Sequence, residues 1–153
     1  MHGDPLASAD AGLRRRWPRS QIADCRFLDS VPMSDEKTTL GELRTIVRQF
    51  VEARDWQQFH SPKNLSMALA IEAAELMEHF QWISTDASRR IGQQPEKLTQ
   101  VGEELADVVC YALAIANELG IDVSQTLRDK MKKNEAKYPA AEYRGRYGPE
   151  DAG

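Results

Sequence analysis

The stretch LSMALAIEAAELMEHF, residues 65–80, decides the fold. Its Ala, Leu, Met and Glu write a helix that is apolar nearly all the way round, yet Glu72, Glu75 and Glu78 stand three residues apart down one side. A second stretch repeats the anomaly. From Leu105 to Ala116 every residue is apolar or weakly polar except Asp107, which follows Glu104 by three. An unpaired carboxylate in an apolar interior costs several kcal/mol and would rather take up a proton. Two such helices, each with an acidic pair, demand a cation. The pattern Glu72-x-x-Glu75, 28 intervening residues, Glu104-x-x-Asp107 therefore predicts an all-oxygen site for a hard divalent metal, with Mg²⁺ the expected occupant where phosphate is the substrate.

The helical periodicity supports convergence of these acids. At about 100° per residue, Glu104, Asp107, Val108, Tyr111 and Ile115 share one face, so the acidic pair and a tyrosine look inward with core residues. Glu72 points the same way as Leu65, Leu69 and Leu76, and Glu75 lies about 60° to one side. Glu78 lies furthest round from Glu72 and is expected in solvent or at an interface.

Outward from residues 65–80, Ser61 then Pro62 reads as an N-cap with a first-turn proline, opening a helix that runs to about Trp82. An amphipathic helix precedes it, from Thr38 or Thr39 as N-cap to Asp55, with Leu40, Leu43, Val47, Phe50 and Val51 on one stripe. Residues 83–94 read as a polar loop. Pro95 opens the third helix and Gly120 closes it; Asp122 with Gln125 resembles a capping box for a fourth that ends before Pro139. Residues 1–34, with Gly, Pro, Ala, Ser and the run Arg14-Arg15-Arg16, and residues 140–153 read as mobile tails flanking one domain, 35–139. No strand pattern is present, so the expected class is all-α, a four-helix bundle. The second and third helices are too apolar for a lone bundle, which predicts a homo-oligomer, a dimer or a dimer of dimers.

The fourth helix brings the opposite charge, since Val123, Leu127, Lys130, Asn134 and Lys137 share a stripe that begins as core, where two ammonium groups and an amide suit substrate phosphates. Trp56, Phe59 and His60 precede the second helix and Trp82 ends it, enough aromatic surface to stack a planar base. His60 and His79 have no metal spacing with another histidine.

Bulk properties narrow the partners. A chain of 153 residues, 41% hydrophobic and 29% charged, has room for one core. Its net charge of −4 argues against a nucleic-acid polymer as partner. Nothing resembles a membrane span or a secretory signal, so a cytoplasmic protein is expected. Cys25 and Cys110 suggest neither a disulfide framework nor a thiolate site, and Cys110 reads as a small core residue.

The two acidic pairs, set in EAAELMEHFQW and EELADVVCYALAIANELGID, resemble the all-α nucleoside triphosphate pyrophosphohydrolases of the MazG type. The resemblance covers about residues 38–139. The run Arg54-Asp55-Trp56-x-x-Phe59-His60-x-Pro62-x-Asn64-Leu65, the Phe80-Gln81-Trp82 close, and Lys130-Met131 through Asn134 to Tyr138-Pro139 look like the dCTP pyrophosphatase branch. It implies hydrolysis of the α–β phosphoanhydride of a nucleoside triphosphate in a homotetrameric bundle. By the same resemblance Glu72, Glu75, Glu104 and Asp107 hold Mg²⁺, Trp56 and Trp82 enclose the base, and Tyr111 borders the sugar. His60, Lys130 and Asn134 are further candidates for contact with the nucleotide. Some relatives carry a water-activating Glu directly before the first metal Glu, where this chain has Ile71, which leaves Glu75 and Glu103 as candidate bases.

Three other readings compete. A dUTP or broad-specificity pyrophosphatase fits the same scaffold. A di-iron bundle needs Glu-x-x-His, but His79 follows Glu75 by four. A non-catalytic oligomerisation module leaves the acids without a purpose.

Overall fold

The computed structural model describes residues 33–146. The expectations for residues 1–32, among them the Arg14–Arg16 run and Cys25, and for 147–153 lie outside the described residues. Within them the chain is helical and contains no strand.

Helix α1, Leu40–Ala53, starts where the sequence places it. The Thr39 hydroxyl accepts from the Glu42 N–H at 3.2 Å, and the Glu42 carboxylate accepts from the Thr39 N–H at 2.6 Å, a complete capping box. Past Arg54, Asp55 takes the left-handed conformation at φ 53°, which turns the chain into a 3₁₀ turn, Trp56–Phe59. Helix α2, Pro62–Glu78, opens with the Ser61 hydroxyl accepting from the Asn64 N–H at 3.2 Å and with Pro62 in its first turn. It ends four residues before Trp82, and Phe80–Trp82 continue as turns.

Residues 83–94 are not an unstructured loop. Ser84 caps a short helix, α3 (Thr85–Arg89), and a 3₁₀ turn, Ile91–Gln93, follows. Ile91 is buried, so one apolar side chain in a polar stretch nails the connection to the body. Helix α4, Pro95–Leu119, ends on Gly120 at φ 64°, a left-handed position that glycine occupies without steric cost. Helix α5, Val123–Lys137, is capped by Asp122, whose carboxylate accepts from the Gln125 N–H at 2.9 Å. The reciprocal half of a capping box is missing, because the Gln125 amide donates to Asp129 instead. A four-residue helix, α6 (Ala140–Tyr143), starts within the segment the sequence marks as a tail, with Tyr143 edge-on to Tyr138 at 5.3 Å.

The body is α4 packed along α2 on one side and α1 on the other. The buried apolar side chains are Val51, Leu65, Ile91, Leu113, Ala114 and Ala116, so half of them sit in one turn near the end of α4. There α1 and α4 are also clasped: Arg44 Nε donates to Asn117 Oδ1 at 2.9 Å, an Arg44 Nη donates to the Ala116 carbonyl at 3.2 Å, and the Asn117 amide donates back to the Arg44 carbonyl at 2.9 Å.

Two expectations need correction. Helix α5 buries no residue and packs only slightly on the others, so the fourth helix does not complete a bundle within one chain. Cys110, read as a small core residue, is exposed, and α2 and α4 also leave Met67, Ile71, Met77, Leu98, Leu105 and Val109 uncovered within one chain.

Candidate metal centre

The packing of α2 along α4 decides which acids meet. Glu72 on α2 and Glu104 and Asp107 on α4 place carboxylate oxygens within 4.8 Å of one another. Glu72 and Glu104 are half-buried and Asp107 is exposed. None of the ion pairs among the described residues involves them; those pairs are Arg48–Glu52, Arg89–Asp86 and Lys132–Asp129. Partial burial pushes the Glu72 carboxyl above its ordinary value, and the negative charges of Glu75, Asp107 and Glu104 push it further. Three hard oxygen donors, mutually repelling and without a basic partner, fit a divalent cation that prefers carboxylates. Burial, then the charges of Glu72 and Asp107, also raises the Tyr111 phenol, which places that ring beside the acids.

The other site candidates are distributed unevenly. Glu75 is exposed and outside the cluster of three, although its charge is felt at Glu72; Glu103 is exposed on α4. Trp56 stacks edge-on against Phe50 at 5.8 Å, with His60 tilted at 6.4 Å and the Arg54 guanidinium 3.6 Å above the Phe50 ring. Trp82 is 87% exposed and plugs no core. The two tryptophans flank opposite ends of α2, a helix of 17 residues and so about 25 Å long. Lys130 is exposed on α5 and forms no ion pair with the cluster, and the Asn134 amide lies against the Met131 sulfur at 3.9 Å.

Sequence reading passed over the far end of the α4 face. A cleft of 170 Å³ opens between α1, the 3₁₀ turn after it and the end of α4, and Gln57, His60, Asn117 and Glu118 line it. A signal for this region was present. Asn117 follows the core residue Leu113 by four and Arg44 precedes the core residue Val51 by seven, so both polar side chains occupy core spacing and needed each other.

An all-α body that presents carboxylates from two adjoining helices defines the class, and comparison with known proteins places the chain within it. The MazG-like family model matches residues 67–147, and the chain belongs to that family. It is 38% identical over 107 residues to dCTP pyrophosphatase 1 of Rattus norvegicus, and 38% identical over 102 residues to dCTP pyrophosphatase 1 of Homo sapiens. These alignments cover 70% and 67% of this chain and 63% and 60% of those relatives, so the chain spans about three fifths of their length. The crystal structure of a pyrophosphatase from Archaeoglobus fulgidus superposes with a TM-score of 0.61 at 36% identity, covering 71% of this chain and 99% of that one. None of the described helices is long and apolar enough to cross a membrane.

Proposed function

We propose that the chain is an Mg²⁺-dependent nucleoside triphosphate pyrophosphohydrolase that cleaves the α–β phosphoanhydride of dCTP, or of a modified dCTP, to the monophosphate and pyrophosphate, and so cleans the cytoplasmic nucleotide pool. The observation that carries this reading is the group Glu72, Glu104 and Asp107, three carboxylates with no basic partner among the described residues. The relatives named for dCTP support the choice of base.

Glu72, Glu104 and Asp107, with Glu75 alongside, would hold Mg²⁺, which would supply the positive charge that a triphosphate needs at its reacting phosphorus. Glu75 and Glu103, both exposed, are the carboxylates free to accept the proton of the attacking water. Tyr111, next to the acids on α4, borders the sugar. Trp56 and His60 form the base-binding end of the same chain. A homo-oligomer covers the exposed apolar side chains of α2 and α4, and in a dimer of dimers Trp82, Lys130 and Asn134 reach the nucleotide from a second copy.

A panel of deoxynucleoside and ribonucleoside triphosphates assayed for pyrophosphate with Mg²⁺, then with a chelator, tests the reading. The expected result is chelator-sensitive release with dCTP preferred. Release of orthophosphate instead, or no turnover of any nucleotide, overturns it.

A further inference from the structure

Helix α1 ends in a backbone reversal that its surroundings do not call for. Asp55 stands at φ 53° and ψ 36°, and among the described residues it is the one non-glycine with a positive φ. The left-handed region brings Cβ close to the following carbonyl oxygen, and glycine would make the same turn without that cost. Packing does not offset it, because the turn it opens, Trp56–Phe59, buries no residue and leaves Trp56 42% and Phe59 60% exposed. Nor does the side chain: the Asp55 carboxylate caps nothing and joins none of the ion pairs among the described residues. Backbone strain that neither the core nor a local side-chain bond accounts for is characteristic of places where a functional side chain has to be aimed.

What the reversal aims is Trp56. At 100° per residue, a continued α1 would carry residue 56 about 120° round from Phe50, on a different face of the helix. With Asp55 left-handed, the Trp56 ring instead stands edge-on to Phe50 at 5.8 Å, with the Arg54 guanidinium at 5.8 Å and the His60 ring at 6.4 Å. The turn is pinned at both ends. The Asp55 carbonyl accepts from the Gln58 amide at 3.0 Å, and the Phe59 carbonyl accepts from the Asn64 amide of α2 at 3.0 Å. The indole is thus fixed in place and still open to a ligand.

We propose that Asp55 is a positioning residue: its left-handed backbone, and not its carboxylate, sets the Trp56 ring in the pose that receives the base of the substrate. This rests on the reading in which Trp56 belongs to the base-binding end of the chain. Any residue that takes the left-handed region readily should serve at position 55, and one that resists it should not.

The test follows that order of tolerance. Asp55→Asn and Asp55→Gly should keep the wild-type KM for dCTP within about twofold. Asp55→Val, β-branched, should raise it about tenfold, the scale of a weakened stacking partner, with kcat per folded molecule little changed. Asp55→Ala takes the place of the valine variant if that one does not fold. Trp56→Ala should raise KM in the same way, and Asp55→Val added to it should raise KM no further, because nothing is left to aim. A wild-type KM in the Val or Ala variant, a KM raised as much by Asn or Gly as by Val, a loss confined to kcat, or additive effects in the double variant would each overturn the proposal and leave Trp56 its role. No turnover of any nucleotide by wild type, or an unchanged KM in Trp56→Ala, removes the reading beneath the proposal and the proposal with it.

Discussion

Helix α4 is two devices in one rod. Its first half carries Glu103, Glu104 and Asp107 among exposed Leu105 and Val109, and these acids have no basic partner among the described residues; its last turns bury Leu113, Ala114 and Ala116 and are clasped to α1 through Arg44 and Asn117. One half spends stability on a site and the other restores it. Such unevenness is expected where function lies, because crowded like charges are tolerated only when packing elsewhere over-determines the helix. It also predicts that substitutions in the two halves will have opposite signatures.

The largest effect belongs to the acids. Glu72→Gln or Asp107→Asn should lower turnover at least about a hundredfold, the scale of losing one group that stabilises developing charge, while the metal-free melting temperature stays level or rises. Wild type should gain stability on adding Mg²⁺ with nucleotide, by about 2.7 kcal/mol at a hundred times the dissociation constant, and the variants should not. Wild-type turnover in either variant breaks the comparison.

Leu113→Ala tests the other half. It should cost about 2–5 kcal/mol in urea unfolding and leave kcat per folded molecule unchanged. If kcat collapses in molecules shown to be folded, the two halves are not separable.

A smaller effect sharpens the role of the clasp. Arg44→Ala and Asn117→Ala should each destabilise by about 1–3 kcal/mol, and the double variant should fall short of their sum by about 0.5–3 kcal/mol, because each side chain bonds the other. Strict additivity in the cycle would mean that the hydrogen bonds contribute nothing jointly.

The smallest effect is one of pH. The folded Glu72 carboxyl titrates above its ordinary 4.5, so in the metal-free protein it favours the folded state at low pH. That contribution is whole below 4.5 and is lost as pH rises through the raised folded value. Melting temperatures recorded in chelator upward from pH 4.5 should therefore decline more steeply for wild type than for Glu72→Gln. Parallel profiles would show that the carboxylates do not crowd one another.

Much of this architecture can be read from residues alone, and the exceptions share a cause. Thr39, Ser61, Pro95 and Gly120 mark helix ends because capping is local chemistry, settled within a few residues. The spacing of Glu72, Glu104 and Asp107 likewise announces a convergence that needs only two helices side by side. Ile91 went unread as an anchor, since a single apolar residue among polar neighbours carries no period. The exposure of α5 and Cys110 escaped too: an apolar stripe says that a face wants cover, but not whether the cover comes from the same chain.

The Arg44–Asn117 clasp also sets a clock. A helix opens from its less protected end, and α4 is tied down near Gly120, whereas its first half, which includes Glu103–Asp107, contributes none of the buried side chains. Amide protons of residues 103–109 should accordingly trade with solvent sooner than those of residues 113–117. The half that carries the acids can breathe, while the clasped end opens last.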